Sequence, residues 1–254
     1  MDRWEQNLDA VLRNAAHWSV ALSGGIDSAV LAAAVKRTGY GITAFTIQSA
    51  FVTQKEIDQA VSLCRQFDIP HVVTKIGLLD RPLITANGPD RCYQCKSLIF
   101  QHIRQQLVDE QTVLADGSTR DDLPRDRPGM RALSEWSVAS PLREAGLRKP
   151  HVRQLAAAWG IPYPDRAANS CLATRIPPGT LITNERLKRV QVAENHVHRL
   201  GIGFCRVRDH YPRCVIEFSD NDHGLVTDRY HDILECMRSV GYTEMTLKRY
   251  RQTI

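Results

Sequence analysis

The sequence predicts an α/β protein, a parallel sheet with helices on both faces, followed by a smaller C-terminal α+β domain. Three observations carry this. Short apolar runs alternate with helix-length amphipathic segments as far as Ala115. A Ser-Gly-Gly turn hands the first run straight to a helix. From Asn184 the pattern becomes helix, strand, strand, helix, strand, which predicts domains at 1–183 and 184–254.

Taken in order, residues 3–16 have helical spacing, with Trp4, Leu8, Val11 and Leu12 on one side. Trp18–Leu22 reads as a buried strand that stops at Ser23, and Ala29–Arg37 reads as a helix. Ile42–Ile47 is the second strand, Lys55–Phe67 a helix, Pro70–Ile76 the third strand, Cys95–Val108 a helix and Thr112–Ala115 the fourth strand. A Pro-, Arg- and Asp-rich segment then runs through Gly129. The helix Lys149–Trp159 is followed by a long loop, Pro162–Thr183, and loops of that length inside compact domains are usually functional. The last part reads as a helix to Leu200, strands near Phe204–Arg208 and Arg213–Phe218, a helix near Thr227–Val240 and a strand near Glu244–Arg249. Internal repeats and low-complexity tracts are absent.

The 254 residues, 43% hydrophobic and 24% charged, suffice for a sizeable buried core. A net charge of +5 suits an anionic small substrate as well as nucleic acid and decides nothing alone. No apolar run nears the ~18 residues that span a bilayer, and the charged start, with Asp2, Arg3 and Glu5, lacks an apolar signal region. The expected location is the cytoplasm, without a membrane partner. Seven cysteines, an odd number, argue against a secreted disulfide framework.

Ser23-Gly24-Gly25-Ile26-Asp27-Ser28 lies where a strand of a parallel sheet passes into a helix, the place where such sheets bind ligands. Two glycines admit a ligand close to the backbone, and free N–H groups at the helix start attract an anion. Ser23 and Ser28 add hydroxyls. Asp27 would repel phosphate directly, but Mg²⁺ between them reconciles the two. A tight turn with a helix cap is the bland reading, and the flanking Ser and Asp residues favour phosphate.

Cys92-Tyr93-Gln94-Cys95 opens a helix, and Cys171 lies in the long loop. A C-x-x-C pair can serve zinc, although no His stands at zinc-finger spacing. It can also serve a redox disulfide, or a three-cysteine iron–sulfur cluster. Cys64, Cys205, Cys214 and Cys236 fall inside apolar periodic segments and read as core residues.

The glycine loop resembles the PP-loop of the ATP-pyrophosphatase superfamily, whose pattern is Ser-Gly-Gly-x-Asp-Ser. Asp116-Gly117-Ser118-Thr119 resembles its second landmark near the nucleotide. That likeness implies an adenine nucleotide alpha hydrolase-like, Rossmann-like domain that binds ATP and releases pyrophosphate. Further segments follow in order: Arg91–Lys96, Asp121-Asp122, Arg127-Pro128-Gly129, Ser140–Leu147 and Cys171-Leu172-Ala173-Thr174-Arg175-Ile176-Pro177. Together, from about Ser19 to Gly241, they resemble the LarE family.

The resemblance implies an ATP-dependent sulfurtransferase that adenylates a carboxylate of a pyridinium biscarboxylate mononucleotide. Sulfur then replaces AMP, on the way to a nickel-pincer cofactor. It implies nucleotide contacts at Ser23, Gly24, Gly25, Asp27, Ser28, Asp116, Gly117 and Arg175, with Mg²⁺ at Asp27. Some members sacrifice a cysteine sulfur. Others carry three cysteines and hold a 4Fe-4S cluster, which Cys92, Cys95 and Cys171 match. Glu194, Arg206, Arg208 and Glu217 are implied substrate contacts, and Arg206 and Arg208 fall on one strand face. The implied partners are a small anionic nucleotide, and sulfide or another sulfur donor. A homo-oligomer is expected and nucleic acid is not. Family members continue past the last strand into a glycine-containing basic tail, whereas this sequence ends at Ile254. Two other readings compete: a tRNA thiolase of the same superfamily, and a nucleotide sensor without turnover.

Overall fold

The computed structural model describes residues 3–107, 109–122, 128–162 and 170–250. In chain order they form α1 (Arg3–Leu12), β1 (His17–Ala21), α2 (Ile26–Thr38), β2 (Gly41–Gln48), α3 (Gln54–Gln66), β3 (His71–Lys75), α4 (Pro82–Thr85), α5 (Arg91–Arg104) and β4 (Val113–Ala115). Then come α6 (Pro128–Glu135), α7 (Pro141–Glu144), α8 (Lys149–Ala158), α9 (Asn184–Arg199), β5 (Cys205–His210), β6 (Arg213–Phe218), α10 (His223–Asp228), α11 (Tyr230–Ser239) and β7 (Glu244–Arg249). Short 3₁₀ turns occupy Arg120–Asp122, Leu172–Arg175 and Asp220–Asp222.

The chain forms two compact units, 1–77 with 90–169, and 78–89 with 170–254. The first holds the expected parallel sheet, in the order β3-β2-β1-β4. Helix α2 is buried along Ala29–Val35, so its small and branched apolar side chains pack on all sides. The path runs outward from β1 to β3 and then returns to the other side of β1 for β4. The order therefore reverses between β1 and β4, and parallel sheets open a ligand crevice at that point.

The second unit is a three-stranded mixed sheet, β5 antiparallel to β6 and β7 parallel to it. Its core includes Val207, Ile216, Phe218, Ile233 and Met237. Backbone bonds hold 78–89 in this unit: Ile182 N–H donates to Thr85 O at 2.8 Å and Gly179 N–H to Asn87 O at 2.9 Å.

Several boundaries differ from the expected ones. Helix α5 starts at Arg91, so both cysteines of the C-x-x-C pair sit in its first turn and a half. The expected helix near Thr227–Val240 is two helices, α10 and α11, which meet at Arg229. The sequence reading leaves helices α4, α6 and α7 unassigned; each begins with a proline, which suits the first helical position as readily as a turn. Arg127, quoted in the sequence segments above, lies outside the described residues.

Candidate functional site

In the first unit, the loops after β1 and β4 meet at the point where strand order reverses. Gly24 has φ +77°, and a Cβ there would stand 2.3 Å from the carbonyl oxygen of Glu56. Glu56 is fixed by the capping box of α3, in which Thr53 Oγ1 accepts from Glu56 N–H and Glu56 Oε2 accepts from Thr53 N–H. A Cβ on Gly117 would stand 2.5 Å from the backbone nitrogen of Ser28. Both positions therefore require glycine, and the Asp116–Thr119 backbone lies directly against the start of α2.

The serines of the glycine loop bind each other and the backbone. Ser28 Oγ accepts from Ser23 N–H at 3.2 Å and donates to Gly25 O at 3.1 Å, and the two hydroxyls are 3.2 Å apart. The Gly25 cap of α2 has no side-chain hydrogen bond. Asp116 is held by Ser118 N–H at 3.1 Å, Ser118 Oγ at 2.6 Å and Ser140 Oγ at 2.9 Å, with Lys96 Nζ at 3.6 Å.

Asp27 forms a short contact with Lys149 Nζ through Oδ2, while its buried Oδ1 has no hydrogen-bond partner. Lys149 Nζ also lies 3.4 Å from Asp122. Burial raises the Asp27 carboxyl above its ordinary range against the pull of Lys149. At Asp122 burial also raises, but Lys149 and the bonds from Thr119 outweigh it, and the carboxyl lies below its ordinary range. An orphaned carboxylate oxygen fits a hard cation such as Mg²⁺.

Lys149 is the residue that the sequence reading missed. One signal was available: a lysine at the first position of a helix faces the positive end of the helix dipole, so something else must stabilise it there.

Cys92 is exposed, and Cys95 and Cys171 are half-buried; none of the three is in a disulfide. Arg91 Nη2 lies 3.5 Å from Cys92 Sγ. Beside them Tyr93 stacks under Arg131, 3.7 Å from guanidinium carbon to ring centre, and donates to Glu135 Oε2 at 2.6 Å. Among the described residues no group of three or more His, Cys, Asp or Glu side chains converges to hold a metal ion. The expected cluster therefore rests on the cysteine pattern alone. Cys64, Cys205, Cys214 and Cys236 are buried as expected, and burial pushes Cys64 up to about 11 and Cys214 up to about 12.

In the second unit the implied substrate residues pair with arginines, one of them Arg175, which the resemblance had implied as a nucleotide contact. Arg175, 2% exposed, donates to both oxygens of Glu194, from Nε at 2.8 Å and from Nη2 at 3.2 Å. Arg208 holds Glu217 Oε2 through Nε at 3.0 Å and Nη2 at 2.7 Å. Arg206 stands opposite Glu217 in the β5–β6 ladder, its guanidinium carbon 5.0 Å from the ring centre of Phe204 and 4.7 Å from that of Tyr250. Burial pulls its guanidinium below the ordinary range, and the charges of Arg175 and Arg208 act the same way. Three arginines thus stand within electrostatic reach around two carboxylates, a surplus of positive charge suited to an anion.

Comparison with known proteins fits both units. Residues 18–88 match the family described as Queuosine biosynthesis protein QueC. An uncharacterized protein of Synechocystis is 35% identical, covering 90% of this chain and 87% of its own. The pyridinium-3,5-bisthiocarboxylic acid mononucleotide synthase of Lactiplantibacillus plantarum is 31% identical, covering 94% of this chain and 88% of its own. A tRNA-specific 2-thiouridylase of Agrobacterium fabrum is 25% identical over 72% of this chain and 57% of its own. No helix among the described residues is long and apolar enough to cross a membrane. Similarity to the synthase extends past the glycine loop and through the arginine strand, and on that extent the chain belongs to the LarE family of PP-loop proteins.

Proposed function

We propose that this chain is an ATP-dependent sulfurtransferase acting on a pyridinium biscarboxylate mononucleotide. A substrate carboxylate oxygen attacks the α-phosphorus of ATP, the bond to the β-phosphate breaks, and pyrophosphate leaves. A sulfur nucleophile then attacks the acyl carbon of the adenylate, and AMP departs with the carbon–oxygen electron pair. Ser23, Gly24, Gly25, Ser28, Asp116 and Gly117 cradle the nucleotide, and Asp27 holds Mg²⁺. Arg206 and Arg208, with Glu217, orient the substrate anion. The observation that carries this reading is the close meeting of the two glycine loops beside the unpartnered Asp27 Oδ1. Free N–H groups, hydroxyls and one carboxylate oxygen there match a Mg²⁺-bound polyphosphate.

Cys92, Cys95 and Cys171 are the sulfur-handling thiols, and the three-cysteine pattern supports a 4Fe-4S cluster over a sacrificed side chain. Iron and sulfide content after anaerobic purification, beside the mass of spent protein, separates the two. A sacrificed cysteine leaves dehydroalanine, about 34 Da lighter. Anaerobic protein that keeps all its cysteines, contains no iron and still transfers sulfur would remove both routes.

The primary test is pyrophosphate release with ATP, Mg²⁺ and the mononucleotide. Asp27→Ala is expected to lose about a hundredfold or more, because its carboxylate is the only one proposed on the metal. Equal release by wild type and variant would remove the nucleotide assignment. Release with tRNA but not with the mononucleotide favours the thiouridylase reading, and no release with any acceptor favours a sensor.

A further inference from the structure

We infer that Arg175 and Glu194 are positioning residues that clamp the Cys171 loop onto strand β5, rather than contacts to nucleotide or substrate. The inference rests on the proposed function for the role of Cys171, but the clamp itself is read from the second unit alone.

Arg175 spends its guanidinium on the loop around it. Nη1 donates to Ser170 O at 2.7 Å, Ser170 Oγ at 3.1 Å and Thr174 Oγ1 at 3.2 Å, and lies 3.5 Å from Cys171 O. Nε and Nη2 take the two oxygens of Glu194, and Glu194 Oε1 also accepts from Val207 N–H at 2.9 Å. Val207 lies between Arg206 and Arg208. A second tie runs from Arg208 Nη1 to Thr174 O at 2.7 Å. Both charges of the pair are buried, Arg175 at 2% and Glu194 at 7% exposure, so little of either is presented to a ligand.

A buried bidentate pair is directional, and breaking it leaves an uncompensated charge. Within the loop Thr174 Oγ1 also donates to Cys171 O at 2.8 Å and lies 2.9 Å from Ser170 Oγ. Leu172–Arg175 is one short 3₁₀ turn, closed by Thr174 N–H to Cys171 O at 3.0 Å. The clamp therefore sets the Cys171 backbone against the strand that carries Arg206 and Arg208. For a sulfur that must reach a carbon beside a gripped anion, that spacing controls the frequency of productive geometry, and hence kcat.

The test uses full-length protein purified in air and verified free of iron and sulfide, so that Cys92 and Cys171 are unligated, and iodoacetamide, with alkylation followed cysteine by cysteine by peptide mass spectrometry. Glu194→Gln keeps the acceptor for Val207 N–H but removes the charge. It is expected to speed Cys171 alkylation roughly fivefold or more through loosening of the loop. Cys92 should be unchanged, and Cys214, buried in the same unit, should stay protected. Arg175→Lys keeps the charge but loses the fork and should do the same. In sulfur transfer to pyridinium biscarboxylate mononucleotide, Glu194→Gln should lower kcat about tenfold with KM nearly unchanged.

Cys171 alkylation unchanged in folded Glu194→Gln would overturn the clamp. So would a raised KM at constant kcat, which would return Glu194 to the substrate. Should either charge variant not fold, Thr174→Val removes the hydroxyl bonded to Arg175 with little change of shape. It is expected to raise Cys171 alkylation about two- to threefold, and no rise there also overturns the clamp. Wild-type protein that transfers no sulfur to the mononucleotide counts against the proposed function only, because the labelling result still decides the clamp.

Discussion

At Asp27 burial and charge pull in opposite directions, and Lys149 supplies the balance. With side-chain exposures of 23% and 26%, the pair is sheltered enough for removal of one partner to matter. Lys149→Ala should cost about 1–2 kcal/mol at neutral pH, below the full value for a deeply buried pair. The cost should depend on pH with a definite sign. Asp27 is already raised in the folded protein, so the fold binds its proton more readily than the unfolded chain does. Stability therefore rises as pH falls through that raised value, and loss of Lys149 enlarges the effect. Urea midpoints of variant and wild type should differ less at about pH 5 than at about pH 7. A deficit that does not change with pH would mean that the charge pair contributes little. The strand-to-helix turn that holds Ser23, Gly24, Asp27 and Ser28 was legible in the sequence because an apolar run, two glycines and a helix start mark it locally. Lys149 was not, because its partner is 122 positions away and no local pattern joins them.

Elements with a strong period were read correctly in kind, and β6 and β7 in extent as well. Alternation reports the two faces of a strand directly. Short helices begun by proline were not read from the sequence, because four to eight residues carry too little of the helical period. The connection from β6 to α10 shows how a single side chain can stand in for regular structure. Asp222 accepts from Gly203 N–H at 3.0 Å, Phe204 N–H at 3.0 Å and Ser219 Oγ at 2.6 Å. Burial raises its carboxyl, but the bonds from Ser219, Gly203 and Phe204 prevail and hold it below the ordinary range. A lowered carboxyl stabilises the fold above its unfolded value and loses that contribution as pH falls through the folded one. Asp222→Ala is expected to cost about 1–2 kcal/mol at neutral pH. The cost should shrink toward about pH 3, as denaturant titrations at the two pH values would show. Equal losses at both would assign the effect to shape rather than charge.

For the molecule as a whole, the sequence announced the parallel sheet and a smaller α+β part after it, because each follows from periodicity summed along the chain, but not that the second sheet is mixed. It did not announce that 78–89 joins the second unit. That membership depends on backbone bonds to residues such as Gly179 and Ile182, which leave no mark on local composition. Nucleotide binding should register on the whole fold through mass action. ATP with Mg²⁺ at about a hundred times its dissociation constant adds ~2.7 kcal/mol, or roughly 5 °C or more in Tm for a chain of this size. Scanning calorimetry should show that rise in wild type and lose it in Asp27→Ala. A rise of equal size in both would place the nucleotide elsewhere.

The two-part make-up of the second unit also bears on synthesis. Segment 78–89 leaves the ribosome first, and its backbone partners at Gly179 and Ile182 follow only after the whole of 90–169. At ~5–20 residues per second that delay lasts several seconds or more, against about 0.1–10 microseconds for helix and hairpin formation. Within the delay β4 emerges and can complete the parallel sheet. Leu78 and Ile84, both buried in the finished protein, meanwhile wait in a nascent chain whose second unit does not yet exist. A chaperone that binds short apolar stretches has its clearest opportunity there.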